Sequence, residues 1–267
     1  MRTSFFYIPI WLFATVDARS VSASLLAADS AADAAYLSAW GEGSNGGYGF
    51  GPWSFVNYGG GTPIRFIGTS TTNGDGDGNH NGDIDTAGRA WGIRPSGDTF
   101  AVRPFSGALD VGQSVHFELD HGYYNGGEIV GVRLINSLTA LDNFNTNEFE
   151  FRLLDLGTIY PYQAYASPIK FGPFRFSDGG FRVTFTLTSS STYSMSAIRY
   201  HDTEPTTTWS TSGELARGNP IVGLALHTNS GGNPPSYYEY FNSIVITPEP
   251  ASLSMLAVGL VMLRRRR

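Results

Sequence analysis

The sequence predicts an all-β fold, an antiparallel β-sandwich of the jelly-roll, concanavalin-like kind. Three observations carry this. Short segments alternate apolar and polar residues with period two, most clearly FRVTFTL at 181–187, where Phe181, Val183, Phe185 and Leu187 fall on one side and Arg182, Thr184 and Thr186 on the other. Gly, Asn, Asp and Pro separate such segments, with no amphipathic helix between them, which argues against βαβ units. Glycine supplies 33 of the 267 residues and aromatics 14%, while charged residues reach only 15%, below the roughly 25% usual for globular domains.

In chain order, Arg2 precedes the apolar run FFYIPIWLFATV (5–16), which is too short to span a bilayer. Small residues follow at Val21-Ser22-Ala23 and Leu26-Ala27-Ala28, either able to present a small-x-small cleavage site. Residues 1–28 are therefore expected to be a secretory signal peptide. The alanine-rich stretch 24–39 has helix propensity or serves as spacer, and the sandwich is placed at 36–247. Its strands include VHFEL (115–119), IVGVRLI (129–135), EFEFRLL (148–154), YSMSAIRY (193–200), IVGLALH (221–227) and NSIVIT (242–247). A β-helix would need a repeat of about 20 to 50 residues, and none is visible.

The formal charge of −6, with the only arginine cluster at the extreme C-terminus, excludes the concentrated basic surface that nucleic acid requires. The absence of cysteine removes disulfides, thiolate metal sites and cysteine nucleophiles. No G-x-S-x-G elbow or phosphate-cradling loop is present.

The loop TTNGDGDGNHNGDIDTAG (71–88) spaces Asp75, Asp77, Asn79, Asn81, Asp83 and Asp85 among glycines. Calcium takes six to eight oxygen ligands, and from Asp77 onward this spacing follows the first nine positions of an EF-hand-like loop, while an alternative frame uses Asp75, Asp77, Asn79 and Asp83. Gly88 occupies the twelfth position, where a bidentate glutamate belongs, so a structural calcium site would borrow a ligand from elsewhere. The alternative is a solvated turn whose Asn, Asp and Gly satisfy loop geometry.

Glu118 and Asp120, like Glu148 and Glu150, lie two apart on strands, a separation usable for glycoside hydrolysis. A polar outer face explains both pairs equally well. For sugar binding, Tyr123, Tyr124, Tyr237 and Tyr238 are the expected exposed platforms beside glycine- and asparagine-rich loops. Trp53 and Trp91 are expected in the interior, where a glycine-rich sandwich needs bulk.

The end of the chain combines Pro248-Glu249-Pro250, the charge-free stretch ASLSMLAVGLVML (251–263) and four arginines, Arg264, Arg265, Arg266 and Arg267. Proline stops the preceding strand. The apolar stretch predicts a short transmembrane helix of about 20 Å at 1.5 Å per residue, with the arginines at its cytoplasmic end. This tail, residues 248–267, resembles the PEP-CTERM sorting signal of exported bacterial proteins. The resemblance implies export, transient membrane anchoring by the C-terminal helix and processing by an exosortase, and it implies no chemistry. Residues 36–246 resemble, more loosely, the bodies of glycine-rich proteins that carry this tail. Three functions follow: first a structural or adhesive protein of the cell surface or extracellular matrix, second a module binding carbohydrate such as exopolysaccharide, third a glycoside-active enzyme.

Overall fold

The computed structural model describes residues 25–59, 61–73, 84–94, 96–122, 129–141, 144–154, 162–174, 180–200, 208–229 and 237–248. Among these, fifteen strands follow one another. The first five are β1 (Ala27–Asp29), β2 (Ser54–Tyr58), β3 (Ile64–Gly68), β4 (Ala90–Arg94) and β5 (Asp98–Pro104). Next come β6 (Ser114–His121), β7 (Ile129–Ile135), β8 (Asn147–Leu154), β9 (Tyr162–Tyr165) and β10 (Lys170–Phe171). The last are β11 (Phe181–Leu187), β12 (Thr192–Arg199), β13 (Thr208–Glu214), β14 (Gly223–Asn229) and β15 (Glu239–Thr247).

They form two antiparallel sheets. One has the order β13-β12-β11-β6-β15-β4-β3 with β1 also paired to β15, and the other has the order β10-β9-β8-β7-β14-β5-β2. The chain is thus an all-β, two-sheet antiparallel sandwich of the jelly-roll kind, as the sequence predicts. Every one of the seven segments read as strands forms one. Period-two alternation decides which residues enter the interior: Phe117, Leu119, Val183 and Phe185 descend from the first sheet, and Val132, Leu134, Phe149, Phe151, Leu224 and Leu226 from the second. Phe149 meets Phe185 across the layers at 4.9 Å between ring centroids. Burial of side chains this large stabilises by roughly 1.5–3 kcal/mol each.

One end of the interior is an aromatic cluster. Trp91 touches Tyr36, Trp40 and Trp53 at 5.6, 6.0 and 5.3 Å. Trp53 and Trp91 are buried, as expected.

Strand β15 pairs β6 along one edge and two strands, β4 and β1, along the other. Its first half pairs β4 and its second half pairs β1, with the register against β6 shifting between Asn242 and Val245. The buried Asn242 amide fixes the bulge: its Oδ1 accepts from the Ala31 N–H (3.0 Å), and its Nδ2 donates to the carbonyls of Ile84 (2.8 Å) and Arg89 (3.0 Å).

Residues 27–29, at the expected leader boundary, form β1, with Ala27 and Asp29 buried. The expected transmembrane helix is corrected: among the described residues no helix is long and apolar enough to cross a membrane. Helical structure there consists of three short 3-10 turns, because apolar residues alternate with polar ones along strands instead of forming a continuous run. Glu249, Pro250 and residues 251–267 lie outside the described residues; Pro248 follows directly on β15.

Candidate functional site

The two sheets differ in what covers their outer faces. On the seven-stranded sheet, the side chains pointing away from the interior include a buried apolar cluster around Phe100 and Val102 and, beside it, charged groups that are buried as well. Glu150 is the centre. Its Oε1 accepts from Arg133 Nε (2.9 Å) and His227 Nδ1 (2.8 Å), and its Oε2 accepts from Asn147 Nδ2 (3.1 Å) and Arg152 Nη1 (3.3 Å). The His227 ring stacks on Phe100 at 4.5 Å and reaches Asp98 through Nε2 at 3.4 Å. A register shift between β7 and β8 brings Asn147 onto the same face as Glu150. Burial by itself would raise the Glu150 pKa, but Arg133, His227 and Arg152 outweigh it and hold the carboxyl well below the usual range.

Glu148 is equally buried. It accepts from the Asn136 amide, from Asn219 Nδ2 (3.0 Å) and from the Arg217 N–H (3.0 Å). The reading of Glu148 and Glu150 as a solvated polar face is therefore corrected: both act as interior acceptors that tie strands together.

The outer face of the eight-stranded sheet is open over β11, β12 and β13, while toward β4 and β15 it is covered around Tyr240. Strands β6, β11, β12 and β13 place their outward residues in cross-strand rows. Ser114, Thr186, Ser194 and Ser212 make one row, and His116, Thr184, Ser196 and Ser210 the next. Glu118, Arg182, Ile198 and Thr208 make the third. Neighbours across strands stand about 4.8 Å apart and successive rows about 6.7 Å apart, the repeats of a pleated sheet. The interior positions between them carry Val183, Phe185, Tyr193, Met195 and Ala197, so packing on one face fixes the hydroxyls on the other.

Short side chains at the centre of this array leave a shallow groove of about 450 Å³, lined by the outward-facing Thr184, Thr186, Ser194, Ser196, Ser210 and Ser212 together with Met195 and Thr211. Ser114 and Thr186 hydrogen-bond at 2.7 Å, and His116 Nδ1 meets Thr184 Oγ1 at 2.9 Å. The hydroxyls on β12 and β13 point to solvent. Burial and the nearby Arg182 cation push the His116 ring below its usual pKa, which keeps it uncharged at neutral pH.

At one end of the face, Glu118 accepts from Arg182 (3.0 and 2.8 Å) and from the Tyr200 hydroxyl (2.8 Å). A smaller cavity of about 230 Å³ adjoins it, bordered by His116, Glu118, Arg182 and Ser243. Glu118 is thus committed to a cation and a phenol, and Asp120 is buried beneath Gly180. The two do not face each other across an open cleft, as glycoside hydrolysis would require.

The residues singled out from sequence are dispersed. Tyr237 and Tyr238 are half-buried, and Tyr238 packs on Phe66 at 5.4 Å. Tyr123 and Tyr124 lie outside the described residues, as do Asp75, Asp77, Asn79, Asn81 and Asp83. Asp85 accepts from Thr69 Oγ1 (2.6 Å) and the Ser70 N–H (3.1 Å), so both its carboxylate oxygens are engaged within the protein. Among the described residues no group of three or more His, Asp or Glu is placed to hold a metal.

Two buried titrating groups give the sandwich opposed pH responses. Burial pushes the Asp29 carboxyl up to about 7, against the pull of Arg103 at 2.8 Å and the Tyr36 hydroxyl. Burial pushes the His121 ring down to about 4, although the Gly122 carbonyl opposes this. Asp29 keeps its proton in the native state up to about pH 7 but only to 3.8 when unfolded, so its contribution is full below 3.8 and lost as pH rises through 7. The unfolded His121 ring protonates below 6.5 while the native ring stays neutral to about 4. Its contribution is full above 6.5 and lost as pH falls to 4. Each amounts to something on the order of 3 kcal/mol. Asp29→Asn is expected to steepen the fall of the melting temperature between pH 6.5 and 4, and His121→Gln to make it rise over that window. Calorimetry across this range checks both, and parallel profiles for the two variants would contradict the assignment.

No protein-family model and no curated protein matches the chain. Solved structures similar to it include domain 4 of AbnA, a GH43 extracellular arabinanase from Geobacillus stearothermophilus, in complex with arabinotriose. It shows 13% identity and a TM-score of 0.39, covering 85% of this chain and 93% of that one. The legume lectin-like domain from Entamoeba histolytica shows 11% identity and a TM-score of 0.41, covering 69% and 89%. The K3 cleaved adhesin domain of Lys-gingipain from Porphyromonas gingivalis shows 11% and 0.36, covering 82% and 99%. The fold assignment rests on the strand order and register described above.

Proposed function

We propose that the protein is an exported carbohydrate-binding module that holds neutral extracellular polysaccharide in the hydroxyl groove of its eight-stranded sheet. One observation carries this: six serine and threonine hydroxyls converge on an open groove of about 450 Å³, on a floor that the sandwich interior keeps rigid. Sugar hydroxyls both donate and accept, and Ser and Thr hydroxyls rotate to complement them. Among the described residues, the groove lining itself contains no charged side chain, and Arg182 at one end of the face is paired with Glu118, which fits an uncharged polymer. The groove offers hydroxyls, and the tyrosines expected from sequence, Tyr123, Tyr124, Tyr237 and Tyr238, are not among the described residues that line it.

Export and C-terminal sorting belong to the same proposal, supported by the leader-like residues 5–16 and by the Pro248-Glu249-Pro250 and Arg264–Arg267 elements. On this reading an exosortase-like enzyme processes the tail, and the module serves at the cell surface or in the surrounding matrix. A purely adhesive scaffold ranks second, since it gives the groove no task.

The test compares isosteric side chains. Ser196→Val and Ser210→Val together remove two hydroxyls without breaking strand propensity, whereas Ser196→Thr and Ser210→Thr keep them. Against a panel of soluble dextran, β-glucan and galactomannan, the double Val variant is expected to lose about tenfold in affinity, the equivalent of roughly 1.4 kcal/mol. The Thr variant is expected to bind more tightly than the Val variant. Wild-type protein that binds none of these polymers, or Val and Thr variants that bind equally, would refute the proposal.

A further inference from the structure

We propose that the leader is removed after Ala23, so that the mature chain begins at Ser24. The proposal rests on reading residues 5–16 as a secretory leader, and the structure supplies what the sequence lacks, a choice between two cleavage motifs. Leu26-Ala27-Ala28 is part of the sandwich. Ala27, Ala28 and Asp29 pair with Ile246, Val245 and Ile244 of β15, and the Leu26 N–H donates to the Ile246 carbonyl at 2.9 Å. On its other side Ala28 exchanges both backbone hydrogen bonds with Tyr48, at 3.0 and 2.9 Å.

Strand β1 is therefore held on both edges, and the segment beside it is shaped to it. A Cβ on Gly47 would stand 1.9 Å from the Ala28 carbonyl oxygen, and one on Gly49 would stand 2.5 Å from Ala27 Cβ. Both glycines have φ in the left-handed region, +62° and +78°, where side chains are strained. Next in the strand, Asp29 is 2% exposed and is bound by Arg103 and Tyr36.

A cut after Ala28 would delete two of the three residues of β1. It would also leave a new cationic amino group on Asp29, inside the sheet, where desolvating a charge is costly. Upstream the situation reverses. Leu25 and Leu26 are 42% and 43% exposed, so a cut before Leu25 leaves β1 and its pairing with β15 whole. Val21-Ser22-Ala23 is the small-x-small motif on that side.

The test is to express the full chain in a secreting bacterial host and read the amino terminus of the exported protein by intact mass and terminal peptide sequencing. A terminus at Ser24 is expected. The Ala23→Tyr variant should retain its leader, whereas Ala28→Ser should still be cut before Ser24. A terminus at Asp29 or beyond overturns the choice of site while leaving the leader reading intact. Exported or cytoplasmic protein that still begins at Met1 overturns the leader reading itself, and the cleavage site with it.

Discussion

Glu150→Ala is expected to destabilise the protein by about 3–5 kcal/mol, the cost of removing one partner from a buried ionic network. The carboxylate is the common acceptor for Arg133, Arg152, His227 and Asn147, and Arg133 and Arg152 are at most 7% exposed at the side chain. Its loss removes the acceptor that two almost fully buried guanidinium groups share. With net stabilities commonly near 5–15 kcal/mol, the effect is large enough to show in a denaturant titration followed by tryptophan fluorescence. The contrast is Arg182→Ala. Arg182 also pairs with a glutamate, but its side chain is 56% exposed, and an exposed pair contributes less than about 1 kcal/mol. Similar losses in the two variants would mean that the face of the seven-stranded sheet is not closed in solution.

Trp91→Ala is the second large change, expected to cost about 3–5 kcal/mol. Trp91 is fully buried and touches three aromatic rings that hold the start of the sandwich in place. Its indole N–H finds no hydrogen-bond partner among the described residues, so the ring stabilises by packing alone. Trp91→Phe keeps most of that packing and abandons no hydrogen bond. It is expected to cost less than about 1.5 kcal/mol, in the range of shape-tolerant core exchanges. Equal losses for Ala and Phe would place a hydrogen bond at the indole that the structure does not show.

The strands that the sequence revealed are those where burial is one-sided. FRVTFTL shows its alternation because Phe181, Val183, Phe185 and Leu187 are buried while Arg182 is exposed. β13 was hidden, because TWSTSGE sends Trp209, Thr211 and Gly213 inward, and only one of these is a large apolar residue. The signal available for it was the run of Ser or Thr at every second position in 184–186, 194–196 and 208–212, which becomes a single surface once those strands pair. β1 was hidden for another reason: three residues are too few for periodicity, and alanine favours helix by propensity. There the pairing with β15 and Tyr48 overrides the local preference.

The charged network was misread because alternation shows only that a strand has two faces. EFEFRLL correctly separates Phe149, Phe151 and Leu153 from Glu148, Glu150 and Arg152, but nothing local says that the second face is covered as well. Two partners of Glu150, Arg133 and His227, come from β7 and β14, 17 and 77 residues away, and only the fold brings them together. The tyrosines were weak candidates for the same reason, since an aromatic in a polar loop can fold back on its neighbours, as Tyr238 does on Phe66.

The most direct measurement is the mapping of backbone amide shifts by nuclear magnetic resonance as neutral oligosaccharides from the same polymer panel are added. The account predicts that the shifts concentrate at Thr184, Thr186, Ser194, Ser196, Ser210 and Ser212, with little change at Glu150 and its partners. Shifts that gather on the seven-stranded sheet, or that fail to appear while the polymer binds, would contradict a binding site in the hydroxyl groove.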